Sequence, residues 1–439
     1  MSTNKIDYIL NNYTERLVLA KSVSDKVYNN EFNKLLNLKH IREKFDNKIT
    51  IKKIFSTFWS EFKSKFKDKL RSSVINNVES MIGCKDYKNG YIAHSCNTCG
   101  EYSFTAFSCN SRFCSTCGKK YRDSRSIEIQ SKLLNVTHRH FVFTIAKELR
   151  DYFFKFRDMQ NLLFNAVNDS LVNTTITSKR DKRNKVKLGF ISFLHTYGRD
   201  LKANPHIHVL IAEAKVDKTG KTTKNHYFHF KKLKKYFMFD LLNKMSKYIK
   251  INHPIEFSNF NKLKYALTKT YEEGFYIYGP ANNNKLTNIA DIANYIARYG
   301  SHPAISESRI VDVDYVNKTI TWKFDPHEDD GLSKNDPKFK GTQLITEPID
   351  DFIIKLIRHI PEKNFHLIRY HGFYSNKRKV IPNTNTILYF SKIRMLKSML
   401  KYPIMILNSF KFNPRICKCG RKMKFDYGLS YFPMKGSLF

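Results

Sequence analysis

Two histidines separated by a single residue, His206 and His208, could together bind a metal ion. Residues two apart in a β-strand point to the same face, so the two imidazoles would lie side by side. Neutral imidazole is a common metal ligand, and Pro205 just before the pair is consistent with a strand that begins at a sheet edge. His195, eleven residues before His206, could be brought alongside by a hairpin as a third ligand. The competing interpretation is that these are solvent-facing or capping histidines that bind nothing.

Two tyrosines, Tyr295 and Tyr299, are four residues apart in a segment, residues 288–299, that is predicted to be a short helix. Their side chains would therefore share one helix face. A tyrosine hydroxyl attacks a phosphodiester only when the phosphate is polarised and positioned, which Mg²⁺ or Mn²⁺ can do. The product would be a covalent phosphotyrosine and a free 3′-hydroxyl. Alone, these tyrosines would be interpreted as packing residues, and Asp291 is a second candidate for the third metal ligand.

Four of the eight cysteines form two CxxC pairs separated by fourteen residues. This spacing is close to that of a four-cysteine structural zinc site. The candidate zinc ligands are Cys96, Cys99, Cys114 and Cys117. Cys84 and Cys109 could form a second site or replace one of the four. Cys417 and Cys419 are too close for an ordinary pair, so an incidental pair and a metal-site role are equally open.

The elements that would position these residues change in character along the chain. Residues 1–80 have apolar residues at helical spacing, and residues 148–172 predict a long amphipathic helix. Alternating patterns predict strands at residues 140–145, 188–195, 206–212, 311–315 and 319–324. A polar turn between the second and third of these predicts an antiparallel pair, and the last two predict a hairpin. Residues 215–285 show no clear pattern.

The charge of the chain points to nucleic acid as a partner. Lys and Arg number 77 against 39 Asp and Glu in 439 residues, a formal net charge of +38. Such an excess suits phosphate binding, although a membrane surface or biased composition could also account for it. The candidate DNA contacts are Arg112, Lys119, Arg298 and Arg309. No apolar run long enough for a transmembrane helix and no signal-peptide core is present, so we expect a reducing cytoplasm, where clustered cysteines favour metal binding.

Four segments of the chain resemble one family. The His206-Ile207-His208 motif followed by Tyr295-x3-Tyr299 resembles the two-tyrosine HUH rolling-circle transposases of the insertion-sequence-ninety-one family. Residues 108–117 resemble the zinc-binding domain of that family, residues 194–208 its metal-site hairpin, 294–299 its nucleophile helix and 365–373 a C-terminal segment. The order and spacing of these pieces make the combination specific.

The resemblance implies an α+β fold with an HUH nuclease core built on a central antiparallel sheet, a helical N-terminal region and a zinc-binding module. We expect residues 1–80 to form the helical N-terminal region and 81–125 the zinc-binding domain. Residues 126–325 would form the HUH nuclease domain, and residues 326–439 a basic C-terminal region.

The resemblance also implies a function. The chain would be a metal-dependent single-strand DNA endonuclease and strand transferase that acts at the ends of a mobile element. Tyr295 or Tyr299 would take the 5′-phosphate, and the second tyrosine would allow a following transfer. His206, His208 and His195 would hold catalytic Mg or Mn, and the zinc would be structural. Its partners would be single-stranded DNA at the element ends and the target, with a host helicase or replication machinery, and no membrane. We expect a bacterial cytoplasm and association with the nucleoid.

Three other functions are compatible with parts of the sequence. A rolling-circle replication initiator uses the same chemistry, but the zinc region and the C-terminal resemblance favour a transposase. A relaxase is disfavoured because in many relaxases the tyrosine precedes the histidines, whereas here Tyr295 follows His208. A zinc-containing DNA-binding regulator without enzymatic activity would leave the histidines and tyrosines as packing residues.

Overall fold

The computed structural model describes residues 49–134, 136–225, 227–279, 304–326, 341–375, 395, 397–410 and 413–433. The predicted tyrosine helix, with Tyr295, Tyr299, Asp291 and Arg298, lies outside these residues, as does most of the predicted N-terminal region. The described part combines helices with antiparallel strands, which confirms the α+β class. Within these ranges, no helix is both long and apolar enough to cross a membrane.

Ten helices and twelve strands of the described residues are used below. The helices are α1 (Ile51–Lys65), α2 (Ser72–Ile82), α3 (Ser115–Gln130), α4 (Tyr152–Lys155), α5 (Met159–Thr175), α6 (Lys179–Arg183), α7 (Phe230–Asn252), α8 (Pro254–Thr270), α9 (Ile349–Ile357) and α10 (Tyr402–Phe410). The strands are β1 (Tyr91–Ser95), β2 (Tyr102–Ala106), β3 (His138–Thr144), β4 (Lys187–Tyr197), β5 (Ala203–Val216), β6 (Thr222–Lys224), β7 (Ile277–Tyr278), β8 (Ile310–Asp314), β9 (Thr319–Phe324), β10 (Gln343–Pro348), β11 (Ile368–Gly372) and β12 (Lys424–Tyr431).

The largest sheet carries the histidine motif on an inner strand. Its order is β11-β4-β5-β3-β7, with β6 paired to the far end of β5. The pairings along this path are antiparallel. The predicted central antiparallel sheet is therefore confirmed, and β5 has a neighbour on both sides.

The two faces of this sheet are covered differently. Alternate residues of β5, such as Ile207 and Val209, point into the main apolar core beneath α5 and α7. The intervening residues include Leu210 and Ala212, which pack with Ile129 at the end of α3. His206 and His208 share the second face by the period-two rule for strands. The histidines thus lie on the face opposite the main helical layer.

Strand β11 is fixed to the sheet at a short His-Gly-Phe sequence. His371 hydrogen-bonds to the hydroxyl of Ser192 on β4 at 2.8 Å. Gly372 has φ +59°, and a Cβ there would lie 1.6 Å from the carbonyl oxygen of Leu188, so only glycine fits. The ring of Phe373 occupies the space above Gly189, where a Cβ would lie 2.0 Å from it. These contacts explain why the segment that resembles the family near residues 365–373 belongs to the sheet.

A second core joins the beginning of the described chain to later segments. Helix α1 begins at the N-cap Thr50, whose side chain accepts a hydrogen bond from the Lys53 amide at 3.1 Å. Its apolar face packs with α2, α9 and the β8–β9–β10 sheet around the buried Trp322. Three cysteines of the zinc-binding region, Cys84, Cys114 and Cys117, belong to the same core. The zinc-binding region therefore packs against both α1 and the segment that contains α9.

Three parts of the chain differ from the sequence pattern or add to it. In the predicted basic C-terminal region, residues 326–439, strands β10, β11 and β12 pair with β9, β4 and β1 respectively. The predicted helix at residues 148–172 is broken between α4 and α5, where Phe156 leaves the helical conformation and stacks on His253 at 3.9 Å. Residues 215–285 contain α7 and α8, whose lysine-rich surfaces obscured buried residues such as Leu233 and Phe237. The predicted hairpin at residues 311–324 is confirmed as β8 and β9.

Candidate active site and zinc-binding module

A tight hairpin between β4 and β5 brings three histidines together. His195 on β4 lies directly opposite His206 on β5, and Phe193 lies opposite His208. The turn is held by the side chain of Asp200, which accepts a hydrogen bond from the Lys202 amide at 3.0 Å. The ring centroids are 5.3 Å apart for His195–His206, 4.7 Å for His195–His208 and 4.8 Å for His206–His208. The three side chains each place one nitrogen within 4.8 Å of the others, so they could share one ion.

Main-chain contacts orient the His206 ring for metal binding. Its Nδ1 lies 2.6 Å from the carbonyl oxygen of Asn204. A carbonyl oxygen only accepts hydrogen bonds, so Nδ1 must carry the hydrogen and the lone pair is on Nε2. The Nε2 atoms of His206 and His208 are 3.0 Å apart. Adjacent ligands of an octahedral ion with bonds of about 2.1 Å are about 3.0 Å apart, so this nitrogen pair fits such an ion.

A fourth histidine, His140 on β3, contacts His208. Its Nε2 lies 2.9 Å from Nδ1 of His208, and the two rings stack at 5.1 Å with an interplanar angle of 11°. If Nε2 of His208 held a metal ion, Nδ1 would carry the hydrogen and would donate it to Nε2 of His140. Such an outer partner fixes the orientation of a metal-binding imidazole. His140 was not among the predicted site residues, although it begins the strand predicted at residues 140–145.

Burial favours the neutral form of His208 and His140. Desolvation, followed by the neighbouring His195, His206 and His140, lowers the pKa of His208 well below its usual value. Desolvation, with His206 as a second cause, lowers the pKa of His140 to about 4. Only neutral imidazole has a lone pair for a metal ion, so the pocket already holds His208 in the state that binds.

A pocket beside His195 extends toward the zinc-binding region. Its wall includes Tyr197 and Thr196 of β4, His359 and Arg112. The Arg112 guanidinium lies 5.5 Å from the centre of the Tyr121 ring, and burial lowers its pKa. Arg112 thus lines the pocket that also contains a candidate metal ligand.

The other predicted DNA contacts are placed differently. Lys119 is exposed on α3, with its ammonium group 5.8 Å from the centre of the Phe410 ring. Arg309 donates hydrogen bonds to the carbonyl oxygens of Lys323 and Arg199 and lies over the Trp322 ring. These contacts fix Arg309 within the fold, between β9 and the turn that precedes β5.

Four cysteines near the start of α3 form one group. Cys84, Cys109, Cys114 and Cys117 offer sulfur atoms that all lie within 4.8 Å of one another. The Sγ–Sγ distances are 3.5 Å for Cys84–Cys117 and 3.6 Å for Cys109–Cys117. The amide of Cys109 also points at the Cys84 sulfur at 3.5 Å. Their chemistry is that of a structural zinc site with no open position.

The predicted grouping of the two CxxC pairs on one ion is wrong. Cys114 and Cys117 belong to the group with Cys84 and Cys109, whereas Cys96 and Cys99 lie with Cys417 and Cys419. The physical reason is that Cys96 and Cys99 lie in the turn between β1 and β2, whereas Cys114 and Cys117 lie at the start of α3. Hydrogen bonds from the backbone amides of Cys99 and then Thr98 lower the pKa of Cys96 to about 6, which favours the thiolate.

The histidine group and the cysteine-rich module both lie within regions that match models of transposase domains. A putative transposase family model matches residues 189–380, and a transposase zinc-binding domain matches residues 54–145. The two matches correspond to a transposase of the insertion-sequence-ninety-one family with its zinc-binding domain.

Two curated relatives agree with this family. The chain is 25% identical over 390 residues to the transposase for insertion sequence element IS801 of Pseudomonas savastanoi pv. phaseolicola, which covers 83% of this chain and 86% of that protein. It is 24% identical over 312 residues to the putative transposase y4qJ of Sinorhizobium fredii, with 67% and 72% covered. No solved structure matches the chain.

Proposed function

We propose that this protein is a rolling-circle transposase that nicks and rejoins single-stranded DNA through a covalent 5′-phosphotyrosine. The observation that carries the proposal is the convergence of His195, His206 and His208 on one sheet face. A DNA-binding regulator has no need of three imidazoles that each place a nitrogen within 4.8 Å of the others. The two relatives are named as transposases, and the chain matches most of the length of each. This favours a transposase over a replication initiator.

The chain's own residues supply binding, orientation and the nucleophile. A divalent cation bound by the three histidines would polarise the scissile phosphate and stabilise the leaving oxygen. Tyr295 or Tyr299 would attack phosphorus, forming a bond from the phenolic oxygen to the 5′-phosphate as the bond to the 3′-oxygen breaks. The phenol loses its proton and the 3′-oxygen gains one. The new phosphodiester keeps the energy for rejoining, and the second tyrosine would accept a following strand.

The donor set favours Mn²⁺ over Mg²⁺ as the catalytic ion. Mg²⁺ prefers oxygen ligands, whereas imidazole nitrogen suits first-row transition metals. The nitrogen pair of His206 and His208 has a separation that an octahedral ion accepts. We therefore propose Mn²⁺ as the better activator, with Mg²⁺ active at higher concentration.

We further propose that Arg112 holds a DNA phosphate beside the metal. It lines the same pocket as His195, and a guanidinium can bind two phosphate oxygens at once. Lys119, which follows Arg112 closely in the sequence, is exposed on α3 and would add to the electrostatic attraction of DNA phosphates. The host helicase and the nucleoid association stay predictions.

Incubation with single-stranded oligonucleotides from the element ends tests the proposed function. We expect cleavage that requires Mn²⁺ or Mg²⁺ and leaves protein attached to a 5′-phosphate, with a free 3′-hydroxyl on the other fragment. Denaturing gels with the label at either end distinguish the two products. Metal-independent cleavage, or DNA binding without any cleavage of element ends, would contradict the proposal.

Replacing His140 tests how the metal-binding histidine is oriented. We expect His140→Ala to weaken Mn²⁺ binding by about 10- to 100-fold, because Nδ1 of His208 loses its hydrogen-bond acceptor. Isothermal titration with Mn²⁺ measures this without DNA. His140→Gln, whose side-chain carbonyl can accept the same hydrogen bond, should recover part of the affinity. Equal Mn²⁺ affinity in wild type and His140→Ala would show that His140 only packs against the site.

A further inference from the structure

The cysteines near the C-terminus lie against the zinc-binding module. The sulfur of Cys417 is 3.4 Å from that of Cys99, and Cys419 is 3.6 Å from Cys99 and 3.7 Å from Cys96. All four sulfur atoms lie within 4.8 Å of one another. Cys417 and Cys419 lie outside the residues matched by either family model. The eight cysteines of the chain thus divide into two groups of four.

The sulfur separations in this group are those of a tetrahedral metal–thiolate site. With zinc–sulfur bonds of about 2.3 Å, the edges of a tetrahedron are about 3.8 Å long. The observed distances of 3.4 to 3.7 Å are close to that edge. A disulfide would bring two sulfurs to about 2.0 Å. An iron–sulfur cluster places iron and sulfide between the cysteines and would hold them farther apart. Zinc therefore fits the group best.

Two tight turns present the four sulfur atoms. In the first, the Gly100 amide donates to the Cys96 carbonyl at 2.9 Å, and Gly100 has φ +72°. In the second, the Gly420 amide donates to the Cys417 carbonyl at 2.9 Å, and Gly420 has φ +82°. Only glycine adopts such angles readily. The second turn brings Cys417 and Cys419 to one point although a single residue separates them.

Strand pairing brings the two turns together, but the apolar core around them is small. Strand β12 runs antiparallel to β1, with Ser95 opposite Lys424 and His94 opposite Phe425. The buried apolar cluster at this end of the pair consists of Cys96, Cys417 and Met423. A core of this size cannot by itself hold a segment of chain, and small modules of this kind depend on a metal.

We propose that Cys96, Cys99, Cys417 and Cys419 bind a second structural zinc ion that fastens residues 413–433 to the zinc-binding module. Cys99 and Cys417 are 318 residues apart, so this ion closes a loop that contains the whole histidine-bearing sheet. The metal would therefore hold the C-terminal segment in place whatever the chemistry of the active site. Residues 413–433 would fold onto β1 only when zinc is bound.

Metal analysis of the full chain tests this proposal. We expect two zinc ions per chain in the wild type, and one in the double variant Cys417→Ser with Cys419→Ser. The matched double variant Cys109→Ser with Cys114→Ser should lose the other ion, and Lys418→Ser, in the same turn but without a thiol, should keep both. One zinc in the wild type, or two in the Cys417/Cys419 variant, would overturn the proposal.

Limited trypsin digestion gives a second measurement, which reports the folding of the segment and not its metal content. Arg415, Lys418, Arg421, Lys422 and Lys424 all lie in the segment and offer cleavage sites. With zinc bound, we expect the wild-type segment to stay intact while Cys417→Ser with Cys419→Ser is cut there rapidly. Cleavage at these sites at the same rate in wild type with and without a zinc chelator would contradict the proposal. Neither measurement involves DNA cleavage, so the result is independent of the proposed function.

Discussion

His206→Ala is expected to reduce metal-dependent DNA cleavage by roughly 10³-fold, which corresponds to about 4 kcal/mol of transition-state stabilisation. His206 has the best-defined ligand atom of the group, because the Asn204 carbonyl fixes the hydrogen on Nδ1 and thus the lone pair on Nε2. Its Nε2 is also 3.0 Å from that of His208, so loss of one ring removes one side of the nitrogen pair. We expect Mn²⁺ affinity to fall together with cleavage, while binding of single-stranded DNA persists because it rests on the basic surface.

Three measurements on the same preparation make this prediction decisive. In His206→Ala, titration with Mn²⁺ should show a loss of metal affinity and a nicking assay should show a loss of cleavage. A DNA-binding assay should show unchanged affinity for single-stranded DNA. His366→Ala is the matched control, because His366 is exposed and lies outside the histidine group. That variant should keep both the metal and the activity. Undiminished Mn²⁺ affinity in His206→Ala would remove the histidine group from the mechanism, and equal loss of DNA binding would indicate a structural role for His206.

The sequence was most informative where function depends on local geometry. The period-two rule placed His206 and His208 on one face, and the polar turn before them predicted the hairpin that brings His195 opposite His206. Both inferences need only residues within a short stretch of chain. The antiparallel pair β4–β5 and the hairpin β8–β9 were predicted for the same reason. Alternation and turn residues are local signals, and the fold did not override them.

The sequence was least informative where distant segments meet. The CxxC spacing suggested that Cys96 and Cys99 share an ion with Cys114 and Cys117, but each pair completes its group with other cysteines. The partners of Cys99 are more than 300 residues away, brought close by the pairing of β12 with β1. No spacing rule within one segment contains that information. His140 was missed for a similar reason, because its contact with His208 exists only once β3 pairs with β5.

The same distinction explains the broken helix at residues 148–172. The apolar periodicity continued through Phe156, so the pattern predicted one long helix. In the fold, Phe156 stacks on His253, and Arg157 donates to the Arg358 carbonyl at 2.7 Å. Contacts with residues about 100 and 200 positions away therefore decide where the helix is interrupted. Helical propensity alone could not reveal this break.

The double variant Tyr295→Phe with Tyr299→Phe is expected to abolish the covalent protein–DNA adduct. Without a phenolic oxygen no bond to the 5′-phosphate can form, and cleavage should fall by roughly 10⁴-fold or more, the order expected when a nucleophile is removed. Mn²⁺ affinity should stay at the wild-type level, because the proposed ligands are His195, His206 and His208. Tyr278→Phe, a change at an exposed tyrosine of β7, is the matched control and should leave the adduct unchanged.

The two single variants, Tyr295→Phe and Tyr299→Phe, then show which tyrosine performs which step. If Tyr295 and Tyr299 act in succession, one single variant should fail to form the first adduct, and the other should form it but fail to transfer the strand to a target oligonucleotide. If they are interchangeable, each single variant should keep part of both activities. Cleavage that persists in the double variant without any adduct would mean that water is the nucleophile. The histidine group would then belong to a hydrolytic nuclease, and the proposed transposition chemistry would be wrong.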